Sequence, residues 1–320
     1  MSVLITGATG FVGGAVVQRL VNIGEHQVVA AVRKVSDQLP QAVQRVRVGG
    51  LSLDTDYTKA LSGVDVIVHA AARVHVMDDD AANPLAEFRK VNVDGTLNLA
   101  KQAAEAGVKR FVFISSIKVN GETTTGKPPF SPDDTYQTTD PYGLSKLEAE
   151  QGLFKLAQET GMEVVVIRPP LIYGPHVKAN FKKLMETVYK GIPLPLGAVH
   201  NQRSLVALDN LVDFIVLCTA HPKAANEVFL ISDDEDVSTT QLLQKIGKAV
   251  GKPARLIPVP VGLMRFAAKL LGKADVAERL FGSLQVDSSK ARELLGWQPV
   301  VSMDEQLQKT VEVYKRETAV

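Results

Sequence analysis

The amino-acid sequence predicts an α/β fold, with a doubly wound parallel sheet as its larger part and a smaller, mainly helical lobe toward the carboxyl terminus. Two observations support this fold class. Short runs rich in valine and isoleucine lack polar alternation, which is typical of strands buried on both faces of a parallel sheet. Segments with helical spacing follow these runs, so strands and helices alternate along the first half of the chain.

The predicted elements follow each other in a regular order. Predicted strands cover residues 3–6, 27–32, 64–69, 110–115 and 163–168, and predicted helices cover residues 13–23, 84–106 and 142–160. After residue 168 prolines and glycines become frequent, which indicates a second lobe. A strand, an apolar helix and a strand over residues 205–232 then return to the sheet before a helical tail. The predicted division is a larger domain of residues 1–168 and about 204–232, and a smaller lobe of residues 169–203 and 233–320.

Composition argues against several classes of function. The 320 residues are 45% hydrophobic and 22% charged, which is typical of a folded globular chain. With 36 Lys and Arg against 35 Asp and Glu, the chain has no general basic field for a nucleic-acid backbone. One cysteine, Cys218, and six histidines provide neither an intramolecular disulfide nor a credible zinc-ligand cluster. Without a secretory signal or a membrane-spanning run, we expect a cytoplasmic protein with no metal and no nucleic-acid partner.

A glycine-rich turn follows the first predicted strand. Gly7, Gly10 and Gly13 are spaced for a tight turn, a close approach of the backbone to a pyrophosphate, and close helix packing. The helix that begins here adds N–H groups and the positive end of its dipole. This context predicts a dinucleotide site, with a purely structural turn as the alternative. The predicted cofactor-binding residues of the turn are Gly7, Thr9, Gly10, Phe11, Val12 and Gly13.

The end of the second predicted strand indicates which dinucleotide binds. An acidic residue there would bind the adenosine ribose hydroxyls of NAD, but the sequence has Arg33 and Lys34 and no carboxylate. A guanidinium and an ammonium suit a 2′-phosphate. The sequence therefore favours NADP(H), with NAD(H) as the alternative, and ordinary solvated cations are the structural interpretation.

A serine and a Tyr-x-x-x-Lys pair form the predicted catalytic group. Ser116 follows the strand at residues 110–115, and Tyr142 and Lys146 lie four positions apart on one face of a helix. An adjacent ammonium and an oxidised nicotinamide favour the phenolate, which suits acid–base work beside a hydride transfer. A tyrosine packed beside a snorkelling lysine is common by chance, so the weight of this pair depends on the other motifs.

Together these motifs resemble the extended short-chain dehydrogenase/reductase family, of the NAD-dependent epimerase/dehydratase type, over essentially the whole chain. The landmarks lie at residues 7–13, 69–72, 92–96, 115–116, 142–146, 168–175 and 295–299. The resemblance implies a Rossmann domain, catalytic roles for Ser116, Tyr142 and Lys146, and contact of Lys146 with the nicotinamide ribose. The residues it places beside the cofactor are Leu51, Ala70, Ala71, Ala72, Asn92, Tyr142, Lys146 and Pro169, with Asn92 also supporting the catalytic helix. Gly50 departs from the family, which often has an aspartate there that contacts adenine.

The resemblance extends to the nucleotide-sugar enzymes of this family, whose substrate the smaller lobe would bind. Asn180 opens a helix and Arg203 precedes a Val-x-Asp-like stretch, and both match positions near the substrate diphosphate. The sugar 4,6-dehydratases have an acid and a base where this chain has Ile117 and Lys118, so dehydration is disfavoured. The predicted substrate-binding residues are Ser116, Lys118, Asn180 and Arg203, and a homodimer is compatible with the sequence.

Three functions stay open. The missing ribose-binding acid favours NADPH-dependent reduction of a 4-keto nucleotide sugar, of the UDP-2-acetamido-2,6-dideoxy-4-hexulose type, in bacterial surface polysaccharide biosynthesis. The first alternative is a UDP-hexose 4-epimerase that retains NAD. The second is a non-catalytic dinucleotide-binding sensor of the same fold, although such sensors commonly lose the Tyr/Lys pair, which is intact here.

Three further segments carry expectations. Residues 261–272 place Arg265 and Lys269 among apolar residues, and we expect this segment to pack inside the smaller lobe, with an interfacial helix as the alternative. The acidic run at residues 78–80 is expected to be a solvated cluster. His69 is expected to end a strand beside the cofactor without acting as a base.

Overall fold

The structure is a computed structural model that describes residues 1–34, 38–74, 83–134 and 138–318. Its strands are β1 (Ser2–Thr6), β2 (Gln27–Val32), β3 (Gln44–Arg47), β4 (Val66–His69), β5 (Arg110–Ile114), β6 (Glu163–Arg168), β7 (Leu171–Tyr173), β8 (Leu205–Ala207) and β9 (Glu227–Leu230). Seven of them form one parallel sheet in the order β3-β2-β1-β4-β5-β6-β9, while β7 and β8 pair in a separate two-stranded sheet. The winding reverses between β1 and β4, and doubly wound sheets bind their ligands at such a switch point.

Helices cover both faces of the large sheet and form most of the smaller lobe. They are α1 (Phe11–Ile23), α2 (Thr58–Leu61), α3 (Pro84–Phe88), α4 (Gly95–Glu105), α5 (Pro141–Thr160), α6 (Ala179–Tyr189), α7 (Leu208–Ala220), α8 (Thr239–Val250), α9 (Val261–Leu270), α10 (Ala274–Phe281), α11 (Ser289–Leu295) and α12 (Met303–Thr318). A π-helical segment, Arg89–Asp94, joins α3 to α4 without a break. Short 3-10 turns lie at Ile117–Val119 and Pro222–Ala224.

Three apolar cores hold these elements together. One face of the large sheet packs against α1 and α7, and the other packs against α2, α4 and α5. Because each central strand is covered on both sides, β1 is buried along its whole length. A third core joins α6, α8 and α12 to the small sheet of β7 and β8. The helices on the carboxyl-terminal side therefore build a core of their own beside the large sheet.

The structure confirms the predicted fold class and the helical tail, and it departs from the sequence expectations in two strands. β3 is missed because its sequence, Gln-Arg-Val-Arg, lacks an apolar run, which is tolerated at the edge of the sheet. β8 pairs with β7 rather than with the large sheet, so only α7 and β9 return to it. The exact domain boundaries stay a prediction, and the acidic run at residues 78–80 lies outside the described residues.

The expectation that residues 261–272 pack inside the smaller lobe is wrong for most of that segment. None of the α9 residues is buried. Leu263, Phe266 and Leu270 are 61%, 62% and 73% exposed, while Val261 and Met264 lie against the third core. The helix therefore rests on the lobe by one edge and turns its larger apolar side chains outward. Among the described residues, no helix has the length and apolar character needed to cross a membrane.

An aromatic cluster behind the large sheet provides a stability test. Phe214 on α7 is fully buried, and its ring centroid lies 5.1 Å from that of Trp297 and 5.3 Å from that of Phe229. Phe214→Ala should lower the free energy of unfolding by about 3–5 kcal/mol, because it leaves a cavity. Trp297 is the only tryptophan in the sequence, so its fluorescence during urea unfolding measures the loss. The exposed Phe266→Ala control should change stability by less than about 0.5 kcal/mol, and equal losses in both variants would contradict the packing.

Candidate active site

The glycine-rich turn between β1 and α1 needs its glycines for steric reasons. Gly7 has a φ of 68°, and a Cβ on it would lie 2.8 Å from backbone atoms of Ala70 and Ala71. A Cβ on Gly13 would overlap the carbonyl oxygen of Gly7. α1 begins after Gly10 without a side-chain cap, which leaves the N–H groups of its first turn to an anionic ligand. The turn therefore fits the pyrophosphate of a dinucleotide.

A buried polar relay lies beneath this turn, at the end of β4. Thr6 Oγ1 lies 2.7 Å from His69 Nδ1, and His69 Nε2 lies 3.0 Å from Thr96 Oγ1. Thr6 Oγ1 also accepts a hydrogen bond from the N–H of Ala71 at 3.3 Å. Burial, assisted by the nearby Lys146, lowers the pKa of His69 to about 3, so the ring is neutral at physiological pH. His69 thus positions the half-buried alanine segment at residues 70–72.

Helix α5 carries the predicted catalytic pair. It begins after Asp140, whose Oδ1 accepts a hydrogen bond from the N–H of Gly143 at 2.8 Å, and a proline occupies its first position. The Tyr142 ring packs edge-to-face on Phe88, with centroids 5.8 Å apart. Lys146 follows one turn later on the same helix face. The cap and the aromatic contact together orient the start of α5.

Lys146 is a buried lysine with two defined neighbours. Its Nζ donates a hydrogen bond to the carbonyl oxygen of Ile114 at 2.8 Å and lies 4.3 Å from the centroid of the Phe113 ring. The residue is 2% exposed. Burial lowers the pKa of Lys146 to about 7, against the opposing influence of Glu150. The side chain is therefore poised to gain or lose a proton near neutral pH.

Burial controls the pKa of Tyr142 in the chain by itself. Burial, and secondarily the Asp140 carboxylate, raise the pKa of Tyr142 to about 12. The expected lowering required the Lys146 ammonium beside the phenol, whereas Lys146 Nζ is bonded to the Ile114 carbonyl. In the chain by itself Tyr142 holds its proton at neutral pH, and the lowering expected with an oxidised nicotinamide stays a prediction.

Ser116 lies where the end of β5 meets the end of β6. The N–H of Ile117 donates to the carbonyl oxygen of Pro169 at 3.0 Å, which ties the two strand ends together. Ser116 Oγ accepts a hydrogen bond from the N–H of Lys118 at 3.2 Å. Ser116 and Pro169 thus share the carboxyl edge of the sheet, next to α5.

A buried ion pair lies behind this edge. Arg168 Nη2 lies 2.6 Å from Glu150 Oε2, and the side chains are 0% and 2% exposed. Arg168 Nη1 donates to Asn120 Oδ1 at 3.0 Å, and the Ser115 hydroxyl donates to the Glu150 carboxylate. The network therefore joins α5 to the ends of β5 and β6.

Asn92 lies in the π-helical segment and bonds to the catalytic helix. Its Nδ2 donates to Ser145 Oγ and to the Arg73 carbonyl oxygen, each at 3.0 Å, and its Oδ1 accepts from the Arg73 N–H at 2.8 Å. Ser145 belongs to α5, so Asn92 holds that helix to the segment before it. π-helical insertions are frequent at functional sites.

Two exposed cations lie at the predicted adenosine end of the cofactor site. Arg33 and Lys34 follow β2 and are exposed. Because β2 pairs in parallel with β1, both cations leave the sheet at the same edge as the glycine turn. Half-buried Leu51 lies against Gly95, where an added Cβ would come within 2.7 Å of the leucine side chain.

Asn180 and Arg203 belong to segments other than the catalytic helix. Asn180 is exposed on the first turn of α6. Arg203 Nη1 donates to the carbonyl oxygens of Arg279 and Gly282, each at 3.1 Å, and burial lowers the pKa of its guanidinium. Among the described residues, no hydrogen bond joins either side chain to Ser116 or α5. Arg203 therefore orders the end of α10, and only part of its guanidinium is left for a ligand.

Lys118 is joined to the catalytic helix instead. Its Nζ lies 2.8 Å from Asp140 Oδ2 and 3.4 Å from Glu122 Oε1. Asp140 thus caps α5 with one carboxylate oxygen and binds Lys118 with the other. Among the described residues, no group of three or more His, Cys, Asp or Glu side chains could hold a metal ion.

Sequence reasoning missed Asp140 and Glu150. The pair Asp140–Pro141 is typical of a helix start, so the cap was within reach of the sequence. Glu150 lies four positions after Lys146 and shares its helix face, but its partner Arg168 belongs to another element. The remaining site roles stay predictions.

The fold and this site define a class: an NAD(P)-dependent enzyme of the extended short-chain dehydrogenase/reductase type. The model of the NAD dependent epimerase/dehydratase family matches residues 3–232. A UDP-glucose 4-epimerase from Vibrio cholerae is 49% identical over 98% of this chain and 95% of its own. The chain therefore belongs to the NAD dependent epimerase/dehydratase family.

Other relatives show the breadth of this family. A 3 beta-hydroxysteroid dehydrogenase/Delta 5-->4-isomerase from Mycobacterium tuberculosis is 31% identical over 98% of this chain and 90% of its own. Among solved structures, a UDP-glucose 4-epimerase with UDP-glucose from Thermotoga maritima has a TM-score of 0.78 and 25% identity, with 100% of both chains covered. Membership in the family therefore leaves the substrate open, because its members act on substrates as different as sugar nucleotides and steroids.

The lowered pKa of Lys146 predicts a pH dependence of stability. Below pH 7 the lysine is charged in the folded and unfolded states, and the folded state carries the full cost of burial. From pH 7 to about 10.4 only the unfolded state retains the proton, so stability rises with pH. The stability of wild type relative to Lys146→Met should increase by up to about 1.4 kcal/mol per pH unit in this window. Urea unfolding of the cofactor-free proteins measures the difference. If the two stability profiles run parallel with pH, the pKa of Lys146 is not lowered in the folded state.

Proposed function

We propose that this protein is a UDP-hexose 4-epimerase that works with retained NAD. The observation that carries the proposal is the 49% identity to a UDP-glucose 4-epimerase over 98% of the chain, because it spans the smaller lobe as well as the cofactor domain. The predicted catalytic residues Ser116, Tyr142 and Lys146 occur together at one edge of the sheet, as hydride chemistry at C4 requires.

Each catalytic residue has a task that its surroundings support. When bound, the nicotinamide supplies a hydride acceptor and donor for C4 of the sugar. The positive charge of a bound oxidised nicotinamide would favour the phenolate of Tyr142. In that form Tyr142 removes the proton from the C4 hydroxyl and returns it to the same oxygen, with Ser116 donating a hydrogen bond to that oxygen. Lys146, buried and bonded to the Ile114 carbonyl, would orient the nicotinamide ribose with its remaining N–H donors.

The nucleotide part of the substrate would be held by polar groups outside the catalytic helix. Arg203 offers its remaining guanidinium donors to the diphosphate, and the exposed Asn180 lies at the start of α6, whose first turn has no side-chain cap. Lys118, tied to Asp140, would offer its ammonium to the sugar. Cytoplasmic location and a homodimer stay predictions.

A second candidate is the NADPH-dependent reduction of a 4-keto nucleotide sugar for surface polysaccharide. The observation that favours it is the pair Arg33 and Lys34, exposed after β2 where an NAD site would have a carboxylate. Both candidates share the roles of Ser116, Tyr142 and Lys146 and differ in cofactor turnover. An epimerase regenerates its bound cofactor, whereas a reductase consumes one reduced molecule in each turnover.

The state of the purified protein separates the two candidates. We expect tightly retained NAD and interconversion of UDP-glucose and UDP-galactose without added cofactor. The measurements are the absorbance of nucleotide released on denaturation and chromatographic separation of the two sugars. The reductase would be the correct assignment if the purified protein contains no nicotinamide and leaves UDP-glucose unchanged. It would then oxidise one NADPH for each 4-keto-6-deoxy UDP-sugar that it reduces.

Removal of the Tyr142 hydroxyl tests the catalytic assignment under either candidate. Tyr142→Phe keeps the ring and its contact with Phe88, so we expect turnover to fall by about two orders of magnitude or more while cofactor affinity is unchanged. Steady-state rates and calorimetric titration measure the two quantities. Tyr189→Phe, on α6, is the matched control and should retain turnover. Wild-type turnover in Tyr142→Phe would move the proton transfer to another residue.

Arg33 tests the cofactor preference. If a 2′-phosphate binds here, Arg33→Ala should weaken NADPH by about 1.5–3 kcal/mol and leave NADH unchanged, because only the phosphate loses charge-assisted hydrogen bonds. Calorimetric titration of both cofactors measures this. The epimerase proposal expects NAD(H) to bind at least as tightly as NADP(H) to the wild type. A wild-type preference for NADPH that disappears in the variant would therefore support the reductase.

A further inference from the structure

The outer face of α9 carries an apolar stripe, defined by Leu263, Phe266, Leu270 and the following Leu271. These side chains are 61%, 62%, 73% and 72% exposed. Positions 263, 266 and 270 recur at helical spacing, so they lie along one side of the helix. The opposite edge, at Met264, rests on the core of the smaller lobe. The stripe is thus held outward by the packing of its own helix.

Cations flank the apolar stripe. Arg265, Lys269 and Lys273 are exposed beside it, and Arg279 is exposed on α10. Residues 261–282 contain four cations against two acidic residues in sequence. One of the acids, Glu278, is already paired with Arg265 at 2.9 Å. By sequence, the segment around the stripe therefore has two more cations than acids.

This charge distribution selects among occupants of the stripe. A second copy of the chain that met the stripe about a two-fold axis would bring Lys269 and Lys273 toward the same residues of its partner. Like charges at such a contact oppose association. A bilayer with anionic headgroups offers acyl chains to the leucines and phenylalanine and negative charge to the lysines, which is the pattern of an interfacial helix.

We propose that α9 and the start of α10 form a peripheral membrane-binding element that docks this protein on an anionic bilayer surface. The element adjoins the substrate side of the molecule, because Arg203 bonds to the Arg279 and Gly282 carbonyls and Thr123 Oγ1 lies 3.4 Å from Glu278 Oε1. Docking therefore places that side of the protein near the headgroups. The proposal is independent of which sugar reaction the protein catalyses.

Vesicle co-sedimentation of the full chain tests the proposal. Wild type should sediment with vesicles of phosphatidylglycerol and phosphatidylethanolamine at low salt and not with pure phosphatidylcholine vesicles. Phe266→Glu combined with Leu270→Glu should lower the partition coefficient by at least about tenfold, since charge replaces the inserted side chains. Lys269→Gln combined with Lys273→Gln should lower it by about tenfold.

A matched control separates insertion from net charge. Ile192→Glu combined with Val300→Glu adds the same two charges elsewhere, at side chains that are 48% and 54% exposed. Its loss of binding free energy should be less than about half of the loss in the stripe variant. Circular dichroism and melting confirm that each variant is folded. Wild type that fails to sediment, or stripe and control variants that bind equally, would overturn the proposal. Sedimentation velocity showing a wild-type dimer that the stripe variant breaks, without vesicle binding, would assign the stripe to self-association and also overturn it.

Discussion

The ion pair between Glu150 and Arg168 is the interaction on which the catalytic edge depends. Both side chains are almost fully removed from water, so an unpaired partner would be strongly destabilising. The cost of burial is offset because Ser115, Asn120 and two arginine nitrogens complete the hydrogen bonds. Since the network reaches from α5 to the ends of β5 and β6, it sets where Tyr142 and Ser116 stand relative to the sheet.

Burial also controls the protonation of the site. Desolvation lowers the pKa of Lys146 to about 7 and of His69 to about 3, and it raises that of Tyr142 to about 12. All three shifts favour the neutral form, as expected for groups moved out of water. Glu150 opposes the shift of Lys146 and keeps it near neutrality. Without ligands, the protein therefore keeps the Tyr142 phenol protonated and the Lys146 amine close to its titration point at neutral pH.

The two lobes contribute differently to function. The large sheet and α5 carry the predicted catalytic residues, in a family whose members include a UDP-glucose 4-epimerase and a steroid dehydrogenase. The smaller lobe has its own core, and Arg203 ties its segments to α10. Substrate choice is thus expected to depend on the lobe whose residues are least constrained by the sheet. The outward face of α9 belongs to the same lobe, and its exposed side chains have no predicted role in catalysis.

The sequence by itself determined the fold class, because unbroken apolar strands and a glycine turn depend on local spacing alone. It also determined that Tyr142 and Lys146 share a helix face, and Asp140 before a proline marked the start of that helix. Tertiary structure alone decided the partnership of Glu150 with Arg168, the pairing of β8 with β7, and the exposure of α9. Each of these depends on contacts between segments distant in sequence. The direction of the Tyr142 pKa was decided there too, because desolvation is set by what the fold packs around a residue rather than by its neighbours in the chain.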